Sequence, residues 1–147
     1  LPDISGYVNS SDLIFALGDF TIMEVLESLE SFRKPVYVVC GNMDETRLKL
    51  ALPTKRIVEI GGLRIGLTHG TGTPYNIEKR VSAEFERNLD AYVFGHSHIA
   101  MNKVLNGSLY FNPGALSYTE HSFGFLYIEQ KNIWGEIIVF KDVQEEI

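Results

Sequence analysis

The stretch Ala91-Tyr92-Val93-Phe94-Gly95-His96-Ser97-His98 decides the fold. Four apolar residues are too few for a helix and right for a strand buried on both faces. The run stops at a glycine, and two histidines follow at once. Three other stretches repeat the pattern. Leu13-Ile14-Phe15-Ala16-Leu17 leads into Gly18-Asp19, and Val36-Tyr37-Val38-Val39-Cys40 leads into Gly41-Asn42-Met43-Asp44. Ile65 to Thr68 leads into His69-Gly70. In open α/β sheets, sites form in the crevice outside the carboxyl ends of the strands. Four such ends place Asp19, Asn42, His69, His96 and His98 along one rim.

The segments between these strands are helical or turn-forming. Thr21 to Arg33 carries Ile22, Val25, Leu26, Leu29 and Phe32 on one stripe, with a Thr21–Glu24 capping box at its start and Pro35 beyond its end. Asp44 to Leu52 reads as a short helix stopped before Pro53. Ile57–Ile60 and Leu63–Thr68 flank Gly61-Gly62, a hairpin signature. Asn76 to Leu89 has Ile77, Val81, Phe85 and Leu89 four apart, which predicts a helix. The last third reads as strands around Leu109–Phe111, Phe125–Glu129 and Ile133–Phe140, with a turn at Gln130–Asn132. Helices interleaved with strands, then hairpins, predict an α/β (α+β) chain of two packed sheets with helices outside.

Composition sets the outer bounds. The chain has 147 residues, 45% apolar and 22% charged, which suits one domain over 1–147 with its own core. No apolar run approaches the ~18 residues of a membrane span, and Leu1-Pro2-Asp3 opens no signal peptide. A single cysteine, Cys40, excludes an intrachain disulfide and four-cysteine zinc sites. The expected setting is therefore cytoplasmic. Thirteen basic against nineteen acidic residues give a net charge of −6, the wrong sign for a nucleic-acid backbone binder. A small phosphorylated substrate held at a local cation remains compatible with it.

The rim residues suit a transition metal. Imidazole and carboxylate together favour zinc, iron, nickel or manganese over calcium. His96 and His98 share a face in a strict strand and diverge to two ions in a loop. A carboxylate such as Asp19 bridges two ions, and paired ions are a known device for phosphate-ester hydrolysis. Each piece alone reads first as a turn or a structural histidine; the order of all four carries the signal. There is no Gly-x-Ser-x-Gly elbow and no phosphate-binding loop ending in Gly-Lys.

Gly18-Asp19, Gly41-Asn42-Met43-Asp44, His69-Gly70 and Gly95-His96-Ser97-His98, in that order, resemble the calcineurin-like metallophosphoesterases. The chain's size and its Asn112-Pro113-Gly114-Ala115 turn are similar to the small phosphodiesterase branch. The resemblance implies a β-sandwich flanked by helices, a four-layer αββα arrangement. It implies hydrolysis of phosphodiester bonds through a dinuclear centre and a metal-activated water. It assigns Asp19 as the bridge, Asn42, His69 and His96 to one ion, and His98 to the other. Asp44 would orient a ligand through hydrogen bonds. The implied ions are divalent, with Mn2+ first and Zn2+, Ni2+ or Fe2+ as alternatives.

Two departures bear on activity. The family opens with a strand ending in Asp-x-His; this chain begins at Leu1-Pro2 without it, which implies an absent N-terminal segment. With those ligands present, two ions per chain are expected. Met43 stands where many members carry a histidine that assists the leaving group, and a thioether donates no proton. His121 is a candidate replacement. These departures keep a second reading open, a catalytically weak scaffold for protein interaction, with Tyr110, Phe111, Tyr118 and Phe123 as a possible contact face or simply core. The expected partners are a small phosphodiester and, through a pairing edge of the final hairpin, a second copy of the chain; no membrane is expected.

Overall fold

Strand order, more than helix content, places the functional rim. The computed structural model describes residues 4–18, 23–116 and 122–139, with the backbone alone at 23–26. In chain order its elements are α1 (Ser5–Ser10), β1 (Ile14–Ala16), α2 (Met23–Glu30), β2 (Val36–Val38), α3 (Thr46–Ala51), β3 (Lys55–Ile60) and β4 (Leu63–Thr68). There follow α4 (Ile77–Ala83), β5 (Ala91–Val93), β6 (Met101–Leu105), β7 (Ser108–Asn112), β8 (Ser122–Glu129) and β9 (Asn132–Val139). The main sheet is mixed, in the order β3-β4-β5-β7-β6; β1-β2 form a parallel pair and β8-β9 a hairpin. In the main sheet β4, β5 and β7 run parallel, so β4 and β5 deliver the loops that follow them to the same edge.

The layers follow from which faces are apolar. One face of the main sheet buries Ile65, Leu67, Ala91, Val93, Leu109 and Phe111. Phe15 and Tyr37 from the parallel pair pack against it, as do Leu126, Ile128, Ile133 and Ile137 from the hairpin. The opposite face buries Tyr92 and Tyr110 beneath Ile77, Val81, Phe85 and Leu89. On the far side of the parallel pair, Ala16 and Val38 meet Leu48 of α3 and Leu29 of α2. Helix, main sheet, a second layer made of the two separate strand pairs, and helix are therefore stacked in that order, with helices outside as the sequence predicts. The approach is closest at Phe111, where a Cβ added at Gly124 or Gly135 would lie 2.4 or 2.3 Å from its ring. Glycine at both places lets the hairpin lie flat on that ring.

Several elements differ from expectation, and helix α1 (Ser5–Ser10) had no counterpart in it. The helix predicted over Asn76–Leu89 ends at Ala83. The Phe85 amide donates to Ser82 one residue short of helical spacing, and the Leu89 amide donates to the Tyr92 hydroxyl (3.2 Å). Phe85 and Leu89 nevertheless join Ile77 and Val81 in one core. Strand β6 had no apolar signature, because its central Asn102, Lys103 and Val104 are exposed on the sheet edge. The helix predicted over Thr21–Arg33 is seen as Met23–Glu30, and its Thr21 cap lies outside the described residues. Among the described residues no helix is long and apolar enough to cross a membrane.

Candidate metal centre

Each predicted rim residue follows a strand that the packing holds still. Gly18 follows β1 at φ 99°, and a Cβ there would sit 2.5 Å from the Gly41 nitrogen. That contact draws the ends of β1 and β2 together and requires glycine. Beyond β2, the Gly41 amide donates to Asp44 Oδ2 (2.6 Å) and the Asp44 amide returns to the Gly41 carbonyl (3.3 Å). Asp44 is buried, so the turn is closed by its carboxylate, and Asn42 is carried on that turn into solvent. Beyond β4 and β5, the Gly95 amide donates to the His69 carbonyl (3.0 Å), tying the two histidine loops together.

His96 and His98 adopt φ of 65° and 60°. Left-handed backbone at a non-glycine costs about 1 kcal/mol or more and needs surrounding support. Asn112 supplies it. This fully buried side chain donates from Nδ2 to the Gly95 carbonyl and to Ser97 Oγ, both at 3.1 Å, and accepts from the Gly114 amide at 3.0 Å. Of the two arrangements open for His96 and His98, the loop is the one found.

Three side-chain atoms converge at the rim. His69 Nε2 lies 2.9 Å from Asn42 Oδ1; His96 Nδ1 lies 3.3 Å from the same oxygen and 3.3 Å from His69 Nε2. The outer nitrogens are committed elsewhere. His69 Nδ1 donates to the Leu17 carbonyl (2.6 Å) and His96 Nε2 donates to the Gly72 carbonyl (2.9 Å). A carbonyl only accepts, so each outer nitrogen holds the ring proton. In the neutral rings the inner nitrogens are then acceptors, and with the asparagine oxygen they make three acceptors within 3.3 Å of one another. Such a set is balanced by a cation. Histidines whose far N–H is pinned to a backbone carbonyl are the usual form of metal-ligating histidine. Two imidazoles and an amide oxygen are neutral, so a divalent ion there keeps its charge for an anion. His69 is buried, His96 half-buried and Asn42 exposed, which opens the centre on the asparagine side.

The other predicted residues fall as follows. Asp19, the expected bridge, lies outside the described residues, as does His121. His98 is exposed and is not one of the three converging groups. Among the described residues no three His, Cys, Asp or Glu side chains cluster; the third converging donor is an amide. Met43 is 65% exposed beside Asn42. Cys40 is buried, and burial, followed by the Asp44 carboxylate, pushes its thiol up from the ordinary value. It stays protonated at neutral pH and is a core residue rather than a nucleophile. Tyr110 and Phe111 are core residues as well, Phe123 is half-buried, and Tyr118 lies outside the described residues.

Sequence reasoning missed three supports. Asn112 entered it only as part of a turn, although an asparagine ahead of Pro-Gly was the visible sign. The Leu17 and Gly72 carbonyls have no side-chain signature at all.

The calcineurin-like phosphoesterase superfamily domain matches residues 2–131. The chain belongs to that superfamily. It is 31% identical over 131 residues to a probable metallophosphoesterase of Methanothermobacter thermautotrophicus, covering 86% of this chain and 75% of that protein. A probable metallophosphoesterase of Methanocaldococcus jannaschii is 36% identical over 107 residues, 71% of this chain and 53% of its own length. Among solved structures, a Thermotoga maritima protein superposes with a TM-score of 0.75 at 30% identity, covering 95% and 88% of the two chains. An archaeal phosphodiesterase (TM-score 0.68, 22% identity, 87% and 84% covered) shares the fold. So does a zinc-complexed Vps29 from Entamoeba histolytica (0.71, 21%, 92% and 87%). A phosphoesterase superfamily chain with converging neutral donors fits a divalent metal ion.

Proposed function

We propose that this chain is a phosphodiesterase whose dinuclear centre is built on Asn42, His69 and His96, with Asp19 as the bridge and His98 toward the second ion. The observation that carries the reading is the convergence of three acceptor atoms whose outer nitrogens are already satisfied by backbone. The fold shared with an archaeal phosphodiesterase supports a diester as substrate. The bound ions would lower the pKa of water and neutralise the phosphoryl oxygens. The chain's own part is positional. Leu17 and Gly72 hold the two imidazoles in the tautomer that faces inward. Asp44 closes the turn that presents Asn42, and Asn112 holds the strained loop that presents His96.

Charge supports a small substrate. The donors are neutral, so an ion with the Asp19 carboxylate leaves the centre net positive on a chain whose whole charge is −6. A compact diester meets that local field, while a long polyanion meets the acidic surface. Met43 supplies no proton to a leaving group, so substrates whose leaving group needs none are favoured. Mn2+ is the proposed ion.

The test is hydrolysis of bis(p-nitrophenyl) phosphate, which has such a leaving group, with added Mn2+. Turnover is expected, abolished by chelator and by Asp19→Ala or His69→Ala. Full activity in either variant would overturn the reading. The exposed Met43 thioether favours a second reading, a non-catalytic scaffold. A chain that loads Mn2+ but turns over no activated diester, with or without His121, would favour it.

A further inference from the structure

Residues 71–75, directly after the His69-Gly70 pair, are all exposed, so the packed core does little to hold them. One side chain gathers three of their carbonyls. The Arg80 guanidinium, from α4, donates through Nε to the Thr71 carbonyl and through Nη1 to the Tyr75 carbonyl, both at 2.9 Å, and through Nη2 to the Thr73 carbonyl. Three alternate carbonyls of one short loop are turned toward one planar fork. Only arginine offers donors in that spread; a lysine ammonium is a point donor on a flexible stem. The intervening Gly72 has φ 77°, and its carbonyl points the other way, to accept the His96 Nε2 proton. Gly72 also lies flat beneath the guanidinium: an added Cβ would be 2.9 Å from Nε and 3.1 Å from Cζ of Arg80.

We propose that Arg80 is a positioning residue for the metal centre, acting through the 71–75 loop and the Gly72 carbonyl on the His96 ring. The inference rests on the metal-centre reading above. The bonds of Arg80 go to loop carbonyls and not to Asn42, His69 or His96. Its guanidinium fixes the loop, the loop fixes one carbonyl, and that carbonyl fixes which imidazole nitrogen carries the proton and where the ring points. Partners one step beyond a ligating histidine typically change metal affinity by about 10–100-fold. A group two steps away belongs at the low end, about 10-fold.

The experiment is Co2+ titration of the chain, followed by visible absorption, with hydrogen exchange of the Thr71, Gly72, Thr73 and Tyr75 amides measured on the same proteins. Arg80→Met is expected to bind Co2+ about 10-fold more weakly, with faster exchange in the loop. Arg80→Lys should fall between it and the wild type, and low-millimolar guanidinium should restore Arg80→Met. Gly72→Ala attacks the same clamp from the loop side and should reproduce the loss, which covers the case of an unstable arginine variant. Wild-type-like Co2+ affinity in Arg80→Met overturns this inference alone. So does a weakened affinity with unchanged loop exchange. A wild-type chain that binds no Co2+ overturns the metal-centre reading, and this inference with it.

Discussion

The five-stranded main sheet and the two-stranded β8–β9 hairpin are both rich in aliphatic and aromatic residues, yet they are buried differently. β5 is buried at every residue and β4 at all but Arg64, because sheet and helix cover both faces. No residue of β8 or β9 is fully buried, β9 alternates largely between exposed and half-buried, and their outer face carries Phe123, Phe125, Tyr127 and Trp134 as a run of ring contacts. Tyr7 of α1 covers the Phe123 end; Trp134 remains 45% exposed. His69 and His96 hang from the strands buried on two faces. The difference teaches that donor atoms are placed where the chain has least freedom, while the hairpin serves mainly as a lid on Phe111.

Substitutions can break or sharpen that contrast. The largest effect is expected at His69→Ala, which removes a converging nitrogen: ion affinity should fall by more than the ~100-fold ceiling typical of outer partners. Calorimetric titration with Mn2+ checks it. Next is Phe111→Ala, which empties the seam between main sheet and hairpin. Large aromatic truncations in a core cost about 3–5 kcal/mol, readable as a lower urea midpoint. Asn112→Ala should cost about 1–3 kcal/mol by removing the buried bonds of its amide to the Gly95 carbonyl, Ser97 Oγ and the Gly114 amide. It should also weaken ion binding, a pairing that Phe111→Ala does not require. Smallest is Trp134→Ala on the outer face, expected within about 0.5 kcal/mol of wild type by surface precedent, with ion affinity unchanged. A Trp134 effect as large as that of Phe111 would erase the distinction between the two regions.

The same contrast explains what was legible in the sequence. Strands buried on both faces leave continuous apolar runs, so β1, β2, β4 and β5 and the residues at their ends could be read directly. The Gly61-Gly62 hairpin was legible from its turn chemistry. β6 was not, because an exposed edge strand such as Asn102-Lys103-Val104 carries no burial signal. The end of α4 was hidden too. Leu89 keeps the helical spacing of Ile77, Val81 and Phe85 although its amide is taken by the Tyr92 hydroxyl, a tertiary contact. At the site, the converging residues Asn42, His69 and His96 and their order along the chain were legible. Their support was not, since backbone carbonyls of Leu17 and Gly72 look alike in any sequence.

The central claim is that Asn42, His69 and His96 hold one divalent ion. Anomalous diffraction at the manganese edge, from crystals of the chain grown with Mn2+, tests it most directly. The account predicts a peak bonded to His69 Nε2, His96 Nδ1 and Asn42 Oδ1, with the Leu17 and Gly72 hydrogen bonds of the two histidines intact. A peak elsewhere, with the three acceptors still in mutual contact, would contradict it.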